Sequence, residues 1–495
     1  MRSQYGISGF SAFVPPYRVQ LERWCEWSGN SWPKTRAVVG NSFRVVGSNH
    51  NVYTMAANAV LKLIESHQVD PSTIGYLALG TESGTDNATS GAIIVRGLVN
   101  EVLRARSTSL LPRDMEVPEI KQACLGGIYG MKGALRYLHV DGKNRKAIVV
   151  AADIAEYARG SSGEPTQGAG AVAMLLEENP AILAIDLKRA GNATQYRALD
   201  FRKPFLRYCG QTPSGDQRVR DVPVFNGKYS TSCYSDETLG SLEAFFRKQD
   251  GGRAEYFRNL SAVFMHRPYR RMPVAAWSLA YLFALGMDGG KEHDELSRYA
   301  AAAGVDFQAL VQEMTSDPRL LERALQGDLV EDPYPLATRT LKVFRESEEC
   351  KNHIDARMTL GSVPLSEMGN LYTAALPAWL AAGLEEAANR NVDMGGREIL
   401  LVAYGSGDAS EALPGTVVPG WEAAAARSDL AGVLSGAVDL DREQYEALHD
   451  GREASGLQVS GPTGYVIDRV GKLDADPLQD FGIEYYRHVD TGVRV

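Results

Sequence analysis

Short, wholly apolar segments alternate along this chain with segments whose apolar residues recur at helical spacing, and that alternation constrains the fold more than any other feature. NVYTMAANAVLKLIESH carries apolar side chains on a 3.6-residue period. IGYLALG follows as an unbroken apolar run and leads into the polar, glycine-rich TESGTDNATSG. GAIIVRGLVNEVLRA reads as a helix, KQACLGGIYGMKGALRYLH as strand end, turn and helix, and NRKAIVVAADIAEYA and QGAGAVAMLLEENP as strands. Strands apolar on both faces need helices on both sides, so the pattern predicts α/β architecture with buried strands.

The second half repeats the idea. LSAVFMHRPYRRMPVAAWSLAYLFALG reads as strand, polar turn and helix, GNLYTAALPAWLAAGLEEAA as a loop opening a helix, REILLVAYGSGDASEAL as strand then glycine turn, and GTVV as a last strand. Two similar halves packed together are therefore expected over residues 1–180 and 181–420, with a helical insertion near 285–335 and an exposed loop at 209–224. Residues 421–495 form a C-terminal extension expected to pack on the second half, ending in FGIEYYRHVDTGVRV as a strand pair. In both halves polar residues of interest fall at the carboxyl ends of strands, where open α/β sheets bind ligands.

Composition narrows the function. A net charge of −9 argues against a general nucleic-acid binder. No apolar run approaches the ~20 residues needed to span a bilayer, and the start of the chain, with Pro15 and Pro16, lacks a signal-peptide core. The five cysteines are widely spaced without a CxxC pair, so neither a zinc site nor a disulfide framework is indicated. A reducing cytoplasm is the simplest compartment, and it leaves thiols free to react.

Cys124 lies between a polar run and Gly126–Gly127, just where a helix begins. Two readings stand. It fills core, as free cysteines often do, or it is a nucleophile whose pKa is lowered by the free N–H groups and positive end of the helix. His266 in AVFMHRPY is a satisfied, half-buried histidine or a donor and proton carrier, and with Cys124 it would make a nucleophile–base unit. Glu82 in LALGTESG is a solvated carboxylate or, enclosed by apolar walls, a base of raised pKa acting on carbon. Asn370 in MGNLYT and Ser406 in AYGSGDA sit in small-residue turns that bind ligands or merely turn the chain.

Together these motifs resemble the hydroxymethylglutaryl-CoA synthase family of thiolase-like condensing enzymes, in order over roughly residues 5–415. GTES is similar to the family's glutamate motif, QACLGG to its nucleophile motif, and FMHRPY to its histidine motif. VVAADIAEYARG…PTQGAGAVAMLL, ALDFRKP, GNLYTAAL and AYGSG resemble further blocks, which give Asp153, Tyr157, Asp200, Asn370, Tyr404 and Ser406 as substrate-binding residues. The resemblance implies a five-layered αβαβα fold, a homodimer, no metal and no bound cofactor, with acetyl-CoA and acetoacetyl-CoA as substrates. It implies that Cys124 takes the acetyl group, Glu82 deprotonates its methyl, His266 holds the acceptor and water frees the product; Asp153 and Asp200 orient neighbours.

The stretches RARSTSLLPRDMEVPEIK, CGQTPSGDQRVRDVP and ARGSSGEPTQG depart from the family pattern and are expected at the entrance. The acceptor then stands open between CoA and an acyl carrier protein; Arg267, Arg270 and Arg271 make a locally basic patch that suits a carrier protein, CoA phosphates or a solvated rim equally. A non-catalytic scaffold of the same fold would not need Cys124, Glu82 and His266 together, and a cysteine hydrolase would not need Glu82.

Overall fold

The apolar runs assemble into one ten-stranded sheet in a computed structural model that describes residues 4–203, 207–211, 217–220, 223–457, 464–475 and 478–489. The strands are β1 (Tyr5–Phe13), β2 (Ile74–Gly80), β3 (Glu119–Ile120), β4 (Lys146–Ala155), β5 (Gly168–Glu178), β6 (Leu183–Ile185), β7 (Gly191–Thr194), β8 (Ala262–Met265), β9 (Glu398–Gly405) and β10 (Ala409–Val417). Their spatial order is β8-β9-β10-β6-β1-β5-β4-β2-β3, with β7 paired to β10. The three-residue β6 joins the halves, pairing antiparallel with Gly6–Ile7 of β1 and with Gly415–Val417 of β10.

Side-chain alternation explains why the first-half strands are apolar throughout. Leu77, Leu79, Ile148 and Val150 pack with α1 (Val52–Ser66) and α2 (Gly91–Ala105). Their neighbours Tyr76, Ala78, Ala147 and Val149 face α3 (Gly126–Val140) on the other side. α3 also reaches the second half, where Lys132 pairs with Glu411 of β10 at 2.5 Å. α4 (Gly227–Phe246) covers β7, β9 and β10, and α5 (Arg271–Asp288) packs against it. α6 (Ala375–Asn389) completes the middle layer against β8, where a methyl on Gly383 would lie 2.3 Å from the Phe264 ring. The layers run helix, sheet, helix, sheet, helix, the order implied by the resemblance.

Four local expectations are corrected. GTVV is no separate strand but the end of β10. Within 209–224 the backbone pairs Arg207–Gln211 with Gln217–Arg220 as a hairpin; residues 212–216 and 221–222 lie outside the described residues. RARSTSLLPRDMEVPEIK is no entrance loop over most of its length, because Leu111 and Met115 are buried and the Glu116 and Pro118 carbonyls accept from Leu77 and Leu79 along the sheet edge.

The fourth concerns the extension, which packs largely on the first half. Leu430 stays with the second half, donating its N–H to Glu385 of α6. Beyond it Val438–Asp439 pairs with Tyr17–Arg18, and the hairpin of Gly464–Val470 and Glu484–Val489 lies on α1. There Tyr465 is fully buried and donates to the Leu98 carbonyl, so the apolar face of the tail is satisfied against α1 and α2. Residues 490–495 lie outside the described residues.

Candidate active site

β2 ends at Gly80, and the next turn is held by one carboxylate of β4. Asp153 Oδ1 accepts from the Thr81 hydroxyl at 3.0 Å, the Glu82 N–H at 2.8 Å and the Ser83 hydroxyl at 2.8 Å. Its Oδ2 accepts from the Thr373 N–H at 3.0 Å, which ties the first half to the second. Asp153 is fully buried. Burial pushes its carboxyl up to about 6, against the pull of Lys203 and these hydrogen bonds. Both oxygens face protein donors, so Asp153 positions the Glu82 turn rather than offering an oxygen to a ligand.

Cys124 precedes α3 by two residues, is half-buried and packs beside Ala155, Tyr157, Tyr372 and Phe201. Its thiol pKa is raised well above the ordinary value, by burial first and then by the charges of Glu82 and Asp153, with Lys203 opposing. The expected lowering by the helix end is therefore corrected. The N–H groups at that end are already used: Gly127 donates to Thr373 Oγ1 at 2.5 Å, Leu125 to the Gln122 carbonyl at 2.9 Å and Ile128 to the Leu125 carbonyl at 3.0 Å. Only glycine lets α3 start this close to β2, since a methyl on Gly80 would lie 2.3 Å from the Gly127 nitrogen.

Glu82 and Ser406 line one cleft of about 1150 Å³, together with Lys121, Tyr196, Phe201 and Lys203. Lys203 Nζ lies 3.9 Å from Glu82 Oε1 and 5.0 Å from the centre of the Tyr372 ring. Lys203 escaped the sequence reading, although it stands three residues after Asp200. Tyr157 is buried with its ring against Phe225 and Tyr372, its N–H donating to Gln167 Oε1 at 2.9 Å.

His266 follows β8 and is buried. Burial lowers it to about 3, so its imidazole is neutral. Its Nδ1 has no hydrogen-bond partner, and its ring stacks on Tyr404 at 6.4 Å between centroids. Among the described residues no hydrogen bond joins the Cys124 thiol to His266, so the nucleophile–base unit is not formed. The Tyr404 hydroxyl lies 3.0 Å from Asp200 Oδ2 and 3.0 Å from Asp408 Oδ1. Asn370 is buried, its Oδ1 accepting from the Tyr372 N–H at 2.8 Å.

Arg267 does not belong to a surface patch. It is buried 5.2 Å from the centre of the Trp379 ring and donates to the Ser362 carbonyl and Ser366 Oγ; Arg270 and Arg271 remain exposed. ARGSSGEPTQG lines a separate cleft with Trp24, Trp27 and Tyr445. Among the described residues no group of three or more His, Cys, Asp or Glu side chains is arranged to hold a metal ion.

A layered α/β fold with a glutamate and a histidine after its strands and a cysteine at a helix start is that of the thiolase-like condensing enzymes. Residues 2–181 match the model of the hydroxymethylglutaryl-coenzyme A synthase N-terminal domain, and residues 217–460 match that of its C-terminal domain. The chain belongs to the hydroxymethylglutaryl-CoA synthase family. It is 27% identical to the hydroxymethylglutaryl-CoA synthase of Enterococcus faecalis over 90% of this chain and 91% of that one. It is 28% identical to the enzyme of that name from Haloferax volcanii over 81% and 80%. The solved structure of MvaS in complex with 3-hydroxy-3-methylglutaryl coenzyme A superposes with a TM-score of 0.76 at 25% identity, covering 99% of this chain and all of that one. The Curacin pathway HMG synthase in complex with holo donor-ACP shares the fold, with a TM-score of 0.69 at 20% identity over 98% and 100%. Residues 182–216, which hold Arg197, Asp200 and Lys203, fall between the two matched segments.

Proposed function

We propose that this protein condenses acetyl-CoA with acetoacetyl-CoA to give 3-hydroxy-3-methylglutaryl-CoA and CoA, with Cys124 as the acetylated residue. The observation that carries the reading is the gathering of Cys124, Glu82 and Asp153, with Lys203, around the turn after β2 inside a family of that activity.

The chemistry follows from the protonation states. Cys124 begins as a neutral thiol. Its sulfur forms the new C–S bond to the acetyl carbon, the bond to the CoA sulfur breaks, and the thiol proton leaves with CoA. Glu82 then takes a proton from the acetyl methyl, and the carbanion forms a carbon–carbon bond to the ketone of the acceptor. The neutral His266 holds that ketone oxygen by an N–H hydrogen bond, and the proton that Glu82 took passes to it as the tertiary alcohol forms, which restores the Glu82 carboxylate. Water cleaves the cysteine thioester, leaving a carboxylate and restoring the thiol.

The homodimer, a cytoplasmic location and a place in mevalonate and isoprenoid synthesis belong to the same reading; no helix among the described residues is long and apolar enough to cross a membrane. An acceptor on an acyl carrier protein is the second reading, supported by the exposed Arg270 and Arg271 and by the fold shared with an HMG synthase solved in complex with a donor-ACP.

Intact mass after incubation with acetyl-CoA tests the donor step. One acetyl group on Cys124, absent from Cys124→Ser, is expected. Addition of acetoacetyl-CoA, or of an acetoacetyl carrier protein, then discharges it and identifies the acceptor. A Cys124 that stays free with acetyl-CoA sinks the reading.

A further inference from the structure

The turn after β9 brings Asp408 against Tyr404 and Asp200, and the three groups do not hold together with their ordinary protons. The Tyr404 hydroxyl is 3.0 Å from a carboxylate oxygen of each aspartate. A phenol has one proton and donates it to one of them. The other contact, oxygen to oxygen, is attractive only if a second proton lies in it, and a carboxyl group has to bring that proton.

The surroundings make the same demand. Arg197 Nη1 lies 2.7 Å from Asp408 Oδ2 and 2.9 Å from Glu237 Oε2, and Nη2 meets Asp236. Among the described residues Arg197 is the one cation at ion-pair distance from these carboxylates. A single guanidinium therefore faces Asp408, Asp236 and Glu237, with Asp200 behind Tyr404. Arg197, Asp200, Glu237 and Asp408 are all buried. Cys233 and Tyr229 of α4, and Tyr334, whose hydroxyl donates to Asp236 Oδ1 at 2.5 Å, are held neutral by burial. Net negative charge of this size in a buried cluster is relieved by taking up protons.

We propose that Asp200 and Asp408 share one proton across Tyr404, the proton belonging to the pair, and that Asp408, held by Arg197 and by the Gly407 N–H, is a positioning residue for the Tyr404 hydroxyl. Burial and the neighbouring Asp200 push Asp408 up to about 8, and Glu237 rises to about 7. The pair matters to the site because the charge of Asp200 acts on Cys124, while Asp200 Oδ1 is buried without a hydrogen-bond partner. Once the shared proton is lost, one of the two Tyr404 contacts is oxygen to oxygen with no proton in it, and a second negative charge stands in the pair.

The activity readout rests on the proposed condensation; an infrared readout does not. The C=O stretch of protonated carboxyl groups is recorded at about pH 7 for the wild type and Asp408→Asn. A band present in the wild type and missing from the variant is expected, and in the wild type it fades as pH rises through about 8. In parallel, kcat of the wild type falls on an alkaline limb by about tenfold per pH unit. Asp408→Asn, with a kcat several-fold lower at neutral pH and a KM within about threefold of the wild type, loses that limb. An unchanged limb or an unchanged infrared band in the variant overturns the inference. If the wild type is never acetylated on Cys124, the functional reading fails and the infrared comparison still decides this one. If Asp408→Asn does not fold, the wild-type infrared titration decides alone: no loss of a protonated carboxyl near pH 8 refutes the shared proton.

Discussion

Replacing Asp153 by asparagine separates the charge of this residue from its hydrogen bonds. The new side chain would keep one oxygen for Thr81, Glu82 and Ser83, but its amide N–H₂ would face the Thr373 N–H donor to donor. One buried N–H without an acceptor costs about 1–3 kcal/mol. Against this, the asparagine removes a buried charge. A carboxyl moved from 3.8 when unfolded to about 6 when folded makes its ionised form unfavourable by about 3 kcal/mol. The sign follows from proton uptake. Below about pH 4 the group is protonated in both states, that penalty is absent, and Asp153→Asn is the less stable protein by about 1–3 kcal/mol. Between about pH 4 and 6 the native wild type holds more protons than its unfolded chain, so wild-type stability falls as pH rises and the variant's does not. The gap between them closes by about 3 kcal/mol and vanishes or reverses near pH 7. Urea unfolding of both proteins at about pH 4.5 and about pH 7.5 reads this directly. Activity behaves differently: with the Thr373 tie lost, kcat falls about 10- to 100-fold even where the two are equally stable. A gap that stays constant, or that widens with pH, refutes the reasoning, because it would mean that the hydrogen bonds to the ionised form outweigh its burial.

Two further substitutions test other parts of the site. Lys203→Met removes the cation that opposes the rise of the Cys124 thiol, and acetylation by acetyl-CoA, followed by mass, is expected to slow by about tenfold, with most of the rate kept in Lys203→Arg; an unchanged rate in Lys203→Met removes the residue from the argument. Gly80→Ala drives a methyl to 2.3 Å from the Gly127 nitrogen and 2.5 Å from its Cα, which are backbone atoms that cannot swing away. A loss of about 1–3 kcal/mol in urea unfolding is expected, and a neutral result would mean that α3 can shift without strain.

The layered fold was legible because strands buried on both faces read as apolar runs, Leu77 to α1 and Ala78 to α3 alike. β10 was not, because Ser410 and Glu411 look exposed in sequence; both are buried, Ser410 donating to the Ala403 carbonyl and Glu411 pairing with Lys132 of α3. The same limit runs through the site. Glu82, Cys124 and His266 lie at strand ends and helix starts and were visible there. The direction of the Cys124 pKa was not, because Thr373, far along the chain, occupies the Gly127 N–H that a local reading leaves open. Lys203, Arg197 and Asp408 are ordinary charged residues in turns until the halves meet around Tyr404 and Tyr372. The packing of the tail on α1 was hidden for a like reason: Tyr465 fills a place that only the first half makes.

A thiol that resists ionisation changes what drives its own acylation. In the pocket the sulfur faces the charges of Glu82, Asp153 and Asp200, so a thiolate is repelled, while a thioester carries no charge to repel. The exchange of an acetyl group between CoA and Cys124 conserves protons as long as both thiols are protonated. An ordinary thiol such as that of CoA ionises near pH 8.5, whereas Cys124 does not, so above about pH 8.5 acylation also releases a proton. The equilibrium then moves toward the acetyl-enzyme by about tenfold per pH unit. Acetyl occupancy of Cys124, quenched and weighed at a fixed ratio of acetyl-CoA to CoA at about pH 7.5 and about pH 9.5, is expected to rise accordingly. An occupancy independent of pH would mean that Cys124 ionises in step with CoA, and that the acidic surroundings of the cysteine do not govern its charge.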